Sequence, residues 1–316
     1  MQPSHKKPHN ARSLPNATTT ENRGEAGQWL HIFWVGLVLW ALSVVVTALT
    51  GNPALLPTVV LLGSFLVPVS FVTWLSGKGS AEVTLGRVVE GFVVGGVLGV
   101  LAASLLETYL LSPSVWMYLG VGLIEELVKV LALMYVARGM AHRTLRGGLL
   151  LGATVGFGFA AFESAGYALN ALITRHGLSL WQVVETEILR GILAPVGHGL
   201  WTAILGGVLF AATRAGRWRL TGGVVLAYLG VAVLHALWDS MRGIALVLVV
   251  VLTETRGQRA ALELGYVPRP TDQQAHLFTV FNGAGLIIVS VLGLLWLAAL
   301  RNRLPDPEPA HVPTGR

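Results

Sequence analysis

The sequence contains no cysteine, so disulfides, thiolate metal sites and cysteine nucleophiles are all excluded, and any metal must sit on nitrogen and oxygen. Charge is scarce too. Only 12 per cent of residues are charged, against 53 per cent hydrophobic, and mean hydropathy is +0.66. So little charge over 316 residues excludes a soluble domain with one or two anchors and predicts an all-α, polytopic transmembrane helix bundle. The net charge of +6 could point to nucleic acid, but the basic residues fall in short clusters between apolar runs, where they report membrane orientation instead. No internal repeat stands out.

A hydrocarbon core of about 30 Å needs about 20 apolar residues per helix. Runs of that length lie near 29–50, 53–75, 87–111, 115–137, 148–173, 192–213, 219–240 and 277–300, which predicts eight spans. The first run has no small-residue cleavage site after it, so it is expected to stay as an anchor. A further apolar run, 243–253, is too short to cross comfortably and is expected either to re-enter the membrane or to extend the seventh helix outward. Residues 175–191 interleave Leu178, Leu180, Trp181, Val184 and Ile188 with polar residues, the pattern of a short amphipathic helix lying on the outer surface. Residues 1–28 and 301–316 are polar or proline-rich and read as disordered tails around a membrane domain at 29–300.

Lys and Arg concentrate on the cytoplasmic side of membrane proteins. Eight spans with the N-terminus inside put fifteen of them in cytoplasmic segments and six outside. A ninth span would place Arg301 and Arg303 outside. Both termini are therefore expected in the cytoplasm.

Within this apolar background a few ionisable residues remain: Glu125, Glu126 and Lys129, then Glu163, His198, His235 and Asp239. Each carboxylate at the bilayer centre costs roughly 2.5–3.5 kcal/mol, so four amount to about 10 kcal/mol, and chemistry is the usual reason to keep them. Glu125 and Lys129 share a helical face, with Glu126 about 100° around. One lysine cannot neutralise both carboxylates, which leaves one protonated or seeking another partner, the condition a general acid or base requires. Taken alone, the trio could equally be a buried ion pair locking two helices. Phe159 and Glu163 follow Gly152 and Gly156, a small-xxx-small spacing that brings another helix close and turns Glu163 toward protein. His198 leads a run with Trp201, Thr202 and Gly206; a lone His there is also an ordinary packing residue. In His235-Ala236-Leu237-Trp238-Asp239 the carboxylate is one turn from the ring and can orient it. Glu125 and Glu163 are expected mid-membrane, and His198 and His235 one to two turns from the outer face, all converging on a cavity open to the outside. Glu90 and Glu107 lie near the ends of span three, where snorkelling is the default. His5, His9, His31, His142, His176 and His276 are given no role.

These motifs, in order on four successive helices, resemble the PrsW family of bacterial intramembrane proteases, related to the type II CAAX prenyl endopeptidases. The resemblance rests on Glu125-Glu126-x-x-Lys129, Phe159-x-x-x-Glu163 with Tyr167, His198 leading to Gly206, and His235-x-x-x-Asp239, within a core from span one to span seven. Ser164 stands where many relatives have Asn. The resemblance implies a membrane-bound endopeptidase of the bacterial plasma membrane, surrounded by lipid, that cleaves a single-span membrane protein such as an anti-sigma factor. Other intramembrane protease designs do not fit: there is no His-Glu-x-x-His, no Gly-x-Gly-Asp and no Gly-x-Ser-Gly. Two mechanisms follow. In one, Glu125 or Glu126 activates water while His198 and His235 stabilise the oxyanion. In the other, Glu163, His198 and His235 hold Zn²⁺ and a Glu of the pair is the base. The competing reading is a proton- or ion-coupled transporter, since such residues also build proton relays. Transporters often carry inverted repeats, and spans one to three have no counterpart to the polar residues of spans four to seven.

Overall fold

A computed structural model describes residues 18–78, 82–175 and 177–303. Its elements are α1 (Thr18–Thr50), α2 (Leu56–Gly77), α3 (Leu85–Val93), a π-helical turn (Val94–Leu98), α4 (Gly99–Leu110), α5 (Met117–Val136), α6 (Leu145–Leu172), a two-residue hairpin (Ile173–Thr174 with Gly177–Leu178), α7 (Leu180–Leu193), α8 (His198–Ala211), α9 (Gly222–Thr253), α10 (Arg256–Glu263) and α11 (Asp272–Arg301). Many of the helices start at a hydroxyl residue. Thr84, Thr144, Ser179, Thr221, Thr255 and Thr271 each accept a hydrogen bond from the backbone N–H three residues on, meeting one of the four amide donors a helix start leaves unpaired.

Among the described residues, seven helical segments are long and apolar enough to cross a membrane, with α3–α4 and α7–α8 each counting as one. Helix α5 has the length but carries Glu125, Glu126 and Lys129, so it fails on charge alone; with it the number is eight, as expected. The bounds differ in three places. Helix α1 starts at Thr18, inside the stretch read as a tail, while residues 1–17 and 304–316 lie outside the described residues. The run 243–253 continues α9 without a break, giving 32 residues or about 48 Å of helix and placing His235 near its middle rather than close to one end. Helix α7 does not simply lie on the surface: Val183, Val184 and Glu187 are buried against α1, α2 and α6, and a 3₁₀ turn at Ala194–Val196 joins it to α8. Of the apolar residues in the interleaved pattern only Val184 is buried; Leu178, Trp181 and Ile188 are exposed, and the face that packs on protein is that of Val183, Val184 and Glu187.

Glycines set how the helices meet. A Cβ on Gly148, Gly152 or Gly156 of α6 would overlap the backbone carbonyl of Gly206, Thr202 or His198 of α8, so these four-spaced glycines let the two backbones touch. On α5, Gly122 faces the carbonyl of Ala232, which brings α9 equally close. Trp201, Phe159, Leu133, Phe210 and Ile204 fill the interior between these helices. Many Leu, Val and Trp side chains of α1, α9 and α11 point outward, as lipid-facing helices require.

Candidate active site

Close approach at Gly122 aligns the next turn of α5 with α9. Tyr228 of α9 donates its hydroxyl to the carbonyl of Leu123 at 2.7 Å, and Glu126 Oε1 lies 3.1 Å from His235 Nδ1. Lys129, one turn further on, is fully buried. Its ammonium donates to Glu125 Oε2 at 3.1 Å and Glu126 Oε1 at 2.9 Å, lies 2.9 Å from His198 Nδ1, and sits 4.1 Å from the ring centre of Phe159. The i,i+3 and i,i+4 spacings therefore hold both carboxylates on one cation.

Helix α6 presents Glu163 one turn beyond Phe159. Its Oε2 lies 3.0 Å from His198 Nε2 and accepts a hydrogen bond from the Arg190 guanidinium of α7. Arg190 also donates to Ser164 Oγ at 2.7 Å and stacks on Tyr167. His198 is the first residue of α8, directly after the turn at Ala194–Val196 and Gly197. On α9, His235 Nε2 faces Asp239 Oδ2 at 3.3 Å and Glu125 Oε2 at 3.6 Å. The two imidazoles have centroids 4.9 Å apart, and the ring of Trp201 lies 4.8 Å from that of His235.

The arrangement has a clear centre. Glu125 Oε2 lies between His198 Nδ1 at 3.9 Å and His235 Nε2 at 3.6 Å, and each ring's other nitrogen is backed by a carboxylate, Glu163 for His198 and Glu126 for His235. Glu163 sits on the outer nitrogen of His198 with Arg190, and it is Glu125 whose oxygen lies near ring nitrogens of both histidines. Asp239 reaches His235 Nε2, as its spacing implies, on the same side as Glu125, while Glu126 meets the opposite nitrogen. All seven residues singled out in the sequence come together here. His31, His142 and His276 are exposed away from it, Glu90 pairs with Arg138 at the end of its helix, and His5, His9 and His176 lie outside the described residues.

Among the described residues, the ligand atoms of Glu125, His198 and His235 lie within 4.8 Å of one another. Ligands at 2.0–2.1 Å from a tetrahedral zinc stand about 3.3 Å apart, close to the 3.6 and 3.9 Å that separate Glu125 from the two rings. Three carboxyl groups, Glu125, Glu126 and Glu163, share the two cations Lys129 and Arg190. Two imidazoles and a carboxylate are a donor set that fits a divalent metal ion.

The description "PrsW family intramembrane metalloprotease" matches residues 79–256 of the 316. The chain belongs to the PrsW family. It is accordingly a multi-pass membrane protease, and every residue of the site described above lies inside the matched stretch. No curated protein and no solved structure matches the chain. The PrsW match begins at α3, so α1 and α2, expected to be part of the family core, lie outside it along with α11.

Two residues of this PrsW site escaped the sequence reading. Arg190 stands in a stretch read as a surface connector, and nothing in its spacing links it to Glu163. Glu107 is half-buried, and its Oε1 is buried without a hydrogen-bond partner among the described residues. Ala103, one turn earlier on α4, packs on Val128 and Phe159, which was a helical-face signal that only the fold could decode.

Proposed function

We propose that this PrsW-family protease hydrolyses a peptide bond of a single-span membrane protein at Glu125, His198 and His235, with zinc as the metal. The observation that carries this reading is the position of Glu125 Oε2 between two imidazole nitrogens, each ring fixed from behind by a second carboxylate. Zinc held by these three side chains supplies Lewis-acid polarisation of the scissile carbonyl and a more acidic water.

The chain's own residues do the rest. Glu126 holds Nδ1 of His235, and Glu163 with Arg190 holds Nε2 of His198, so that the remaining nitrogen of each ring points inward. Lys129 contacts Glu126, Glu125 and His198 Nδ1 alike, so with a metal held by the latter two its ammonium is displaced from them and stays on Glu126. Asp239, with 27 per cent side-chain exposure, is the most open carboxylate touching the two histidines, and it accepts the proton of the attacking water. Water oxygen bonds to the carbonyl carbon, the C–N bond breaks, and Asp239 returns the proton to the leaving amine. A second reading is supported by Lys129, whose ammonium lies 2.9 Å from His198 Nδ1 and 3.1 Å from Glu125. Here no metal takes part, Glu125 accepts the water proton and His235 stabilises the oxyanion.

The resemblance to PrsW proteases supports a regulator such as an anti-sigma factor as substrate. The distribution of Lys and Arg supports a bacterial plasma membrane location with both termini in the cytoplasm. The test compares membranes carrying the unsubstituted chain with membranes carrying Glu125→Gln, by mass spectrometry of newly formed protein termini. Termini in a membrane-anchored protein that depend on Glu125 are expected; identical sets in both membranes would overturn proteolysis at this site.

A further inference from the structure

Among the described residues several buried polar atoms lack partners, Arg143 Nε and Asn282 Oδ1 among them, and two, on Glu187 and Ser64, line one seam. Glu187 of α7 is 5 per cent exposed; its Oε2 accepts from Trp40 Nε1 at 2.8 Å, but its Oε1 is buried with no partner. Ser64 of α2 is 4 per cent exposed, and its hydroxyl is also unpartnered. Both line a seam between α2 and α7, bounded further by Ser164 and Arg190, that is too narrow to hold a water molecule. Gly63 belongs to the same seam: a side chain there would overlap the Glu187 carboxyl.

Buried donors and acceptors in membrane proteins are ordinarily satisfied, because hydrocarbon offers no alternative. Two unpartnered groups facing one seam therefore suit a second arrangement in which something fills it. Helix α7 is built to allow that. It is short, it ends in a 3₁₀ turn containing Pro195, which lacks an amide donor, and Gly197 separates it from α8. Its opposite face shows Trp181, Ile188, Leu189 and Ile192 to lipid, and only its first half, at Leu180 and Val183, packs into the core with Leu56, Val59 and Val60 of α2, so the half from Glu187 onward can swing while that core stays packed. The inner end of the seam is Arg190, which holds Glu163 and through it His198.

We propose that α7 is the movable wall of the protease, and that the seam between α2 and α7 receives an unwound stretch of the substrate polypeptide. A helical peptide must unwind to expose a bond for hydrolysis, and its freed backbone groups then need partners inside the membrane. Glu187 Oε1 accepts one freed N–H and the Ser64 hydroxyl donates to one freed carbonyl, on the path that leads past Arg190 to Glu163. This rests on the proteolytic reading for the identity of the occupant, though the movement of α7 is measurable without it.

The chain has no cysteine, which makes two measurements clean. Ser64→Cys in liposomes, with thermal unfolding unchanged, is treated with N-ethylmaleimide and compared with Thr154→Cys, a fully buried position inside α6. Modification of Ser64→Cys at least tenfold faster is expected, since the seam opens while α6 does not; equal protection of both would overturn the movable wall. Next, Val67→Cys is combined with Gly191→Cys, positions where a Cβ on α7 lies 3.6 Å from the α2 side chain, and the pair is oxidised. Glu125-dependent termini are expected to fall at least tenfold in the crosslinked protein, to return on reduction, and metal content to stay constant throughout. Undiminished cleavage by fully crosslinked protein would overturn the seam as the substrate path. Failure of the proteolytic reading looks different: no chain, crosslinked or not, produces the termini, and the thiol labelling still decides whether α7 moves.

Discussion

Glu126 and His235 meet 3.1 Å apart across α5 and α9, neither with meaningful exposure, and this contact selects which nitrogen of His235 faces the centre of the site. Glu125, the adjacent residue, faces that second nitrogen instead. Two neighbouring glutamates thus hold opposite edges of one ring and take different roles.

That division predicts different outcomes for two conservative changes. Glu125→Gln removes a donor from the centre and is expected to abolish cleavage. Glu126→Gln keeps a hydrogen-bond partner on the ring but loses the carboxylate behind it, and should lower metal affinity or activity by about 10–100-fold. Quantified termini in membranes, with protein levels matched by immunoblot, check both. Equal loss for the two variants would show that the pair acts as one unit.

Lys129 is the one lysine or arginine within reach of both carboxylates among the described residues, shares them with His235, and is fully buried. Lys129→Met strands two buried charges, which costs about 3–5 kcal/mol. Thermal unfolding in detergent should show this as a large fall in midpoint, with Glu126→Gln in the same chain recovering part of it. A Lys129→Met protein as stable as the unsubstituted one would mean the carboxylates are neutral without lysine.

Metal analysis separates the two chemical readings. His198→Ala and His235→Ala should each remove activity and lower zinc in purified protein, while Asp239→Asn should retain zinc and lose about 10²–10⁴-fold in cleavage as a proton acceptor. Chelator treatment followed by zinc should abolish and restore the unsubstituted enzyme. Active protein with no bound metal and no chelator sensitivity would leave the reading in which Glu125 itself activates water.

Orientation is open to the same cysteine-free background. Single cysteines at 140 and 216 are expected to resist an impermeant thiol reagent on intact cells, and those at 180 and 260 to react. The reverse pattern would invert the topology and place the N-terminus outside.

Much of this protein was determined by its sequence alone, because hydrocarbon leaves few choices. Apolar runs of the right length had to become helices, intramembrane charges had to face protein, and the spacings Glu125/Lys129, Phe159/Glu163 and His235/Asp239 had to put each pair on one face. Helical periodicity is a local rule and reads correctly from local pattern. What lies opposite a given face is not local. Whether Glu125 or Glu163 falls between the histidines depends on how far α5, α6, α8 and α9 slide along one another, and one turn of slippage, about 5.4 Å, would exchange one partner for another. That register is set by backbone contacts at Gly122, Gly148, Gly152 and Gly156, whose partners lie far away in the chain. For the same reason Arg190 and Glu107 joined the site only in three dimensions: each sits on a helix whose own sequence says which face is buried, and nothing about what it is buried against.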